Sequence, residues 1–333
     1  MRWGLIGAST IAAEHVIVAL RAAGQAVAAL HSGSAGRARD YAAAHGIPVV
    51  QDRLADLLAD PGIGAVYISS TNEKHRDQAL AALAAGKHVL CEKPLAMTVT
   101  EAVAMVRAAE AAGLVFATNH HLRCSGSHRA VRALIASGRI GRVLSLRLFH
   151  AVHLPPHLQG WRINDPAAGG GVIPDITVHD ADVARFLLGE DPVSVVAQMG
   201  ASGLGQGVED SAMSVWSMPS GAMVQAHESF THPFAGSGLE VHGTEGSIFA
   251  RGVMTQQPVG EVELVTAKGR EAVPFPDHNL YVQAITDFLT AVSGHGQPAA
   301  TGWDGVASLA VALAVREAAR SGVRQAVDYG RAA

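Results

Sequence analysis

Residues 3–12, Trp3-Gly4-Leu5-Ile6-Gly7-Ala8-Ser9-Thr10-Ile11-Ala12, decide the fold. A short apolar run stops at a glycine, and small residues lead into a helical pattern over 11–23. A strand that turns tightly into a helix opens a βαβ unit. The alternation continues downstream. Apolar runs at 26–30, 65–69, 88–91 and 115–118 predict strands, and 36–45, 56–60, 74–85 and 100–113 predict the helices between them. Strands alternating with helices imply a parallel sheet with right-handed crossovers.

Near residue 120 the period changes. A helix predicted over 127–137 ends at Gly138. Alternating segments follow at 143–152, 193–199, 212–218, 223–230, 239–242 and 261–266, separated by turns such as Pro219-Ser220-Gly221 and Gly243-Thr244-Glu245-Gly246. Alternation of period two predicts a mainly antiparallel open sheet with one covered face. Further helices are predicted over 175–188, 281–292 and 305–321. The fold class is therefore α/β: a doubly wound parallel-sheet domain over 1–120, then an α+β domain over 121–333.

The length of 333 residues suits two domains, and a net charge of −4 argues against nucleic acid or an anionic membrane as the main partner. Two cysteines, Cys91 and Cys124, make neither a disulfide framework nor a thiolate metal site. There is no secretion signal and no uninterrupted apolar stretch of membrane-spanning length, so the expectation is a soluble, cytoplasmic protein. The sheet face of the second domain is either covered by the chain's own helices or available for self-association.

The turn at 7–12 occupies the place of a dinucleotide fingerprint but keeps only Gly7; Ser9 and Ala12 replace the other two glycines. The small Gly7, Ser9 and Ala12 still let backbone approach a pyrophosphate at a helix N-terminus, with Thr10 and Ile11 in the same cofactor-binding turn, although a plain tight turn also fits. The second strand ends in His31-Ser32-Gly33-Ser34-Ala35-Gly36-Arg37, with no acid to hold a ribose 2′-hydroxyl. Ser32, Gly33 and Arg37 suit a 2′-phosphate and hence NADP(H); the alternative is that Arg37 is a solvated helix residue. Ser70, Thr71, Asn72 and His75 follow the third strand at the carboxyl edge of the sheet, where ligands bind; Thr71 or Asn72 also suits a helix N-cap.

Two groups carry candidate chemistry. Glu92-Lys93-Pro94 follows the fourth strand, and Lys93 is one of only four lysines. A lysine there can polarise a carbonyl, or it can be an exposed loop charge. The second group is the run from Gly169 to Asp180, in which Asp175 and His179 stand four apart on one helix face. A carboxylate beside an imidazole suits a general acid; an N-cap and a surface histidine are the alternative. His120-His121 and His150-x-x-His153 lack the spacing of a metal site, so no metal is expected.

The first βα turn, the Glu92-Lys93-Pro94 tripeptide and Asp175-x-x-x-His179 together resemble the glucose–fructose oxidoreductase and inositol dehydrogenase (Gfo/Idh/MocA) family. The likeness runs through the whole chain, most closely at 3–12, 86–98, 118–123, 149–162, 168–182 and 240–247. It implies a Rossmann-type domain that binds NADP(H) and reduction of the keto group of a cyclic sugar, 1,5-anhydro-D-fructose, to 1,5-anhydro-D-mannitol. It implies Lys93, Asp175 and His179 as the catalytic set, with His150, Trp161 and Arg162 lining the pocket. Glu92, Asn119, Trp161, Arg162 and Tyr281 would also touch the cofactor. His153 stands where the resemblance implies a tyrosine. The other readings are an NADP-linked dehydrogenase of another cyclic sugar or polyol such as an inositol, and a non-catalytic nucleotide-binding regulator.

Overall fold

The computed structural model describes residues 1–330, and the chain divides into two compact units. The first contains Met1–His120 and Tyr281–Val306; the second contains His121–Leu280 and Ala307–Ala333.

The first unit is built on six strands: β1 (Arg2–Ile6), β2 (Ala26–His31), β3 (Val49–Val50), β4 (Ala65–Ile68), β5 (His88–Cys91) and β6 (Phe116–Thr118). All pair in parallel in the order β3-β2-β1-β4-β5-β6, the doubly wound arrangement with its switch point beside β1. The connecting helices are α1 (Ile17–Ala22), α2 (Ala35–His45), α3 (Leu54–Ala59), α4 (His75–Ala84) and α5 (Val99–Ala112). Their ends follow local chemistry. Thr98 and Glu101 form a reciprocal capping box at the start of α5, and Gly113 closes it in the left-handed conformation. The helix after β1 differs from a regular one: a π turn, Ala12–Val16, precedes α1.

The second unit holds a nine-stranded sheet: β7 (Val143–Ala151), β8 (Ser194–Gly200), β9 (Ser211–Ser217), β10 (Met223–Ser229), β11 (Gly238–Gly243), β12 (Gly246–Arg251), β13 (Glu261–Thr266), β14 (Gly269–Ala272) and β15 (Gln325–Ala326). Its order is β14-β13-β12-β11-β7-β10-β9-β8-β15, and only β7 and β10 pair in parallel. Helices α6 (Gly126–Ala136), α7 (Trp161–Asn164) and α8 (Val178–Leu188) belong to this unit, and a second π turn, Ile173–Thr177, leads into α8. The alternation seen in the sequence matches the burial. Leu146, Leu148, Trp216, Val224, Ala226, Val241 and Ile248 lie in one core with Ile173, Val178, Ala181 and Val315. The opposite face is open, with exposed Val196, Met213, Val215 and Met223 beside the ion pairs Arg147–Glu240 and Arg270–Glu263.

The last two helices are α9 (Leu280–Val292) and α10 (Gly302–Ser321). The sequence assigned everything after residue 120 to the second domain; the structure corrects this for Tyr281–Val306. Phe288 packs on Trp3 with ring centroids 5.1 Å apart, both without exposed surface. Thr118 donates its amide to Ala300, and Ala117 bridges Thr301 antiparallel beside β6. Gly302 continues this return: a Cβ there would come within 2.8 Å of both Phe116 and Val106. The first 120 residues leave these apolar surfaces uncovered, and a distant segment supplies the cover. Among the described residues no helix is long and apolar enough to cross a membrane.

Phe288→Ala should lower stability in guanidinium unfolding by about 3–5 kcal/mol, the range for a buried aromatic truncated to alanine. A loss below about 1 kcal/mol would show that α9 is not integral to the first unit's core.

Candidate active site

In the first unit, Gly7 has φ +112°, and a Cβ there would lie 2.8 Å from the backbone of Ser69 and Ser70. Glycine is required because the turns after β1 and β4 touch at that point. Ser9 braces the same contact, donating to the Ser69 hydroxyl at 2.7 Å and accepting the Ala12 amide at 3.2 Å. Thr10 is exposed and Ile11 half-buried, while Ala12 is buried against the core. After β2, Ser32 is half-buried and Gly33 and Arg37 are exposed, with Arg37 in the first turn of α2.

The residues after β4 divide by role. Ser70 donates to Gln78 at 2.6 Å, and Thr71 donates to Glu73 at 2.8 Å. Thr71 occupies the cap position of the turn, but its side chain makes no capping bond. Asn72 is buried. His75 has no exposed surface; its ring nitrogens face the carbonyls of Pro94 at 2.9 Å and Ser70 at 3.1 Å, and burial lowers its pKa. His75 thereby bridges the Ser70 turn and the loop after β5.

That loop carries Glu92, Lys93 and a cis Lys93–Pro94 peptide. Glu92 Oε1 accepts the Tyr67 phenol at 2.5 Å and the Asn119 amide at 2.6 Å. Burial, then the Glu92 charge, pushes the Tyr67 phenol well up, so it remains a donor. Asn119 is buried. Tyr281, also buried, stacks on His15 at 4.7 Å. Lys93 is half-buried.

In the second unit, the start of α8 gathers the other predicted residues. Asp175 lies within the π turn, not at a cap, and its carboxylate is 3.4 Å from the Arg162 guanidinium, which lies over the Trp161 ring at 4.7 Å. Trp161, Arg162 and Asp175 thus form one contiguous group. His179 is 8% exposed, which rules out a surface histidine. Its ring lies 5.1 Å from His121 and 6.2 Å from His150. His150, at the end of β7, places Nδ1 2.9 Å from Asp180 Oδ1. From the loop before β9, Glu209 accepts the Ile173 amide through its carboxylate and the Val172 amide through its carbonyl. An acceptor at a helix N-terminus is the favourable sign for the dipole. Among the described residues no three His, Cys, Asp or Glu side chains are placed to hold a metal ion.

Sequence reasoning passed over His121, Asp180, Glu209 and Glu228, which pack against these residues. Glu228 left a signal: it continues the buried row Val224, Ala226 on β10, a charge where the period requires an apolar residue. Asp180 and His121 left none beyond adjacency to His179 and His120.

Residues 1–120 match the family model "Oxidoreductase family, NAD-binding Rossmann fold", and residues 128–249 match "GFO/IDH/MocA C-terminal domain". The chain is 55% identical over 330 residues to a 1,5-anhydro-D-fructose reductase of Ensifer adhaerens, covering 99% of each chain. It is 30% identical over 332 residues to an inositol 2-dehydrogenase of Rhizobium meliloti (strain 1021), covering 96% of this chain and 97% of that one. Among solved structures, the aldose-aldose oxidoreductase of Caulobacter crescentus superposes with a TM-score of 0.89 at 24% identity, over 98% of this chain and 99% of that one.

Proposed function

The chain belongs to the GFO/IDH/MocA oxidoreductase family, and on that premise we propose that it reduces the keto group of 1,5-anhydro-D-fructose to 1,5-anhydro-D-mannitol with NADPH. The observation that carries this reading is the full-length likeness to the Ensifer adhaerens reductase.

The residues present fit a nicotinamide dinucleotide. The tight Gly7 turn opens the helix after β1, and small residues surround its N-terminus, where a pyrophosphate is favoured. The end of β2 offers Ser32 and the exposed Arg37 in place of an acid, which suits a 2′-phosphate and disfavours a bare ribose. When bound, NADPH supplies the hydride from nicotinamide C4.

The chain's own residues then divide the work. His179 gives a proton to the oxygen that becomes an alcohol. Lys93 polarises that oxygen and opposes its developing charge. Asp175, paired with Arg162, completes the catalytic set. His150, Trp161 and Arg162 hold the sugar. For assembly, the open sheet face with Val196, Met213, Val215 and Met223 is the surface for a second copy of this chain.

NADPH absorbance assays with 1,5-anhydro-D-fructose, inososes and simple ketoses test the substrate, with turnover expected for the first. His179→Ala should cut that turnover by about 10²–10⁴-fold while NADPH still binds, the usual contribution of a general acid. A rate near wild type would remove His179 from its role. Arg37→Ala should weaken NADPH far more than NADH in a binding titration; equal losses would refute the 2′-phosphate contact. Sedimentation equilibrium should give a dimer that Met213→Glu dissociates, and a monomer at every concentration would exclude the sheet-face contact.

A further inference from the structure

Behind His150 lies a pair of carboxyl groups to which the proposed reaction assigns no part. Asp180, in the first turn of α8, and Glu228, on β10, are both 0% exposed. Glu228 is the direct neighbour of His150 across the parallel β10–β7 ladder, so the two share the covered face of the sheet. Asp180 Oδ1 lies 2.9 Å from His150 Nδ1, within hydrogen-bond distance. Asp180 Oδ2 and both oxygens of Glu228 are buried without a conventional N–H or O–H donor. The buried Thr177 hydroxyl also lies beside Glu228 and can offer it an O–H.

Two carboxylates adjoining each other in an apolar core cannot both be ionised, because neither carries a hydrogen to offer the other and their charges repel. One shared proton resolves both problems, turning two acceptors into a donor and an acceptor. The surroundings decide which group keeps it. Burial raises the Asp180 carboxyl pKa, but the His150 ring on its other oxygen opposes that shift and favours its charge. Glu228 has the neutral Thr177 hydroxyl where Asp180 has an imidazole, and burial followed by the Asp180 charge pushes its carboxyl well above the usual range.

The geometry points to Glu228 as a positioning residue: a neutral carboxylic acid that donates to Asp180 Oδ2, so that the ionised Asp180 holds His150 as the Nδ1–H tautomer. His150 then presents Nε2 as an acceptor, the sense that recognises a hydroxyl of a polyhydroxylated substrate. The hydroxyl contact rests on the sugar-reductase reading; the protonation of Glu228 and the tautomer of His150 do not. The titratable groups packed around the pair are His150 from β7, His227 from β10, His179 from α8 and His128 from α6, with His232 stacked edge-on against His227. Burial lowers the pKa of both His227 and His128. Neither is therefore a competing source of positive charge at neutral pH.

The test uses the full-length protein and reads protons directly. In ¹³C-carboxyl NMR at pH 7, one resonance lost in Glu228→Gln should show the neutral-acid shift. In ¹⁵N-imidazole NMR, His150, assigned with His150→Gln, should be the Nδ1–H tautomer in wild type and in Glu228→Gln, because the amide can still donate to Asp180. Glu228→Leu removes the donor and should abolish the fixed tautomer. In the ketone assay, Glu228→Gln should keep both kcat and KM within about twofold, whereas Glu228→Leu should raise KM about tenfold or more and shift the pH profile of kcat/KM, the scale of one lost buried hydrogen bond. If Glu228→Leu does not fold, the wild-type and Gln spectra still decide. An ionised Glu228 at pH 7, or His150 as the Nε2–H tautomer, overturns the proposal. Spectra as expected with no turnover of any ketone would leave the positioning intact and remove the substrate reading alone.

Discussion

The second unit depends on one constraint: α8 begins inside an apolar core with its polar side chains turned inward. Asp180 and Asp182 are buried within three residues of one another, beside His179. Each buried charge needs a partner, and removing one partner from a buried ion pair typically costs about 3–5 kcal/mol. The partners come from separate parts of the chain. Asp180 takes His150 from β7, and Asp182 takes the Arg123 guanidinium in a two-pronged contact at 2.7 Å from the turn that follows β6. His179 meets the ring of His121 from that same turn, and Glu209 meets the backbone at the start of the π turn. The position of the helix end thus fixes the β7 register, the 121–124 turn and the loop before β9 together.

The first unit solves its analogous problem mostly without buried charge pairs. Its ligand edge is a row of turns after parallel strands, and each turn is tied to the next. Ser9 bonds Ser69 across the β1 and β4 turns, His75 joins the Ser70 turn to the loop after β5, and Glu92 gathers Tyr67 and Asn119 from β4 and β6. Such short ties stiffen backbone that has no strand or helix ladder of its own. Lys93 leaves the chain between two of these ties, so its backbone is set by its neighbours on both sides.

The strands were legible wherever alternation met a turn residue, and His88–Cys91 coincides with the run read from the sequence. The three strands that the second sheet adds, β12, β14 and β15, were not. β14 is fully exposed and polar, β15 has two residues, and β12 begins in a glycine turn; none displays a clear apolar period. The return of Tyr281–Val306 to the first unit was hidden for another reason, since amphipathic periodicity reports that a face is buried but not what buries it. The two π turns were invisible because an inserted residue alters the helical phase without changing composition. At the site, the sequence supplied Asp175 and His179 as a pair on one helix face and His150 as a separate residue. What the sequence could not show is strand register: the β7–β10 pairing places Glu228 beside His150.

That register also explains why the carboxyl pair occupies a position where apolar side chains would be more stable. Positions 180 and 228 adjoin Ala226, Val224 and Ala181, and a well-packed aliphatic pair there would remove the desolvation of two polar groups. The pair is therefore a poor device for stability alone. With an aliphatic pair, the His150 ring would be free to exchange its proton between nitrogens, and its outward atom would alternate between donor and acceptor. A proton confined to Glu228, with Asp180 charged beside it, removes that freedom without a net change of charge in the site. The energetic disadvantage of burying the pair is offset by a histidine whose hydrogen-bonding sense is set by the fold and not by the solvent.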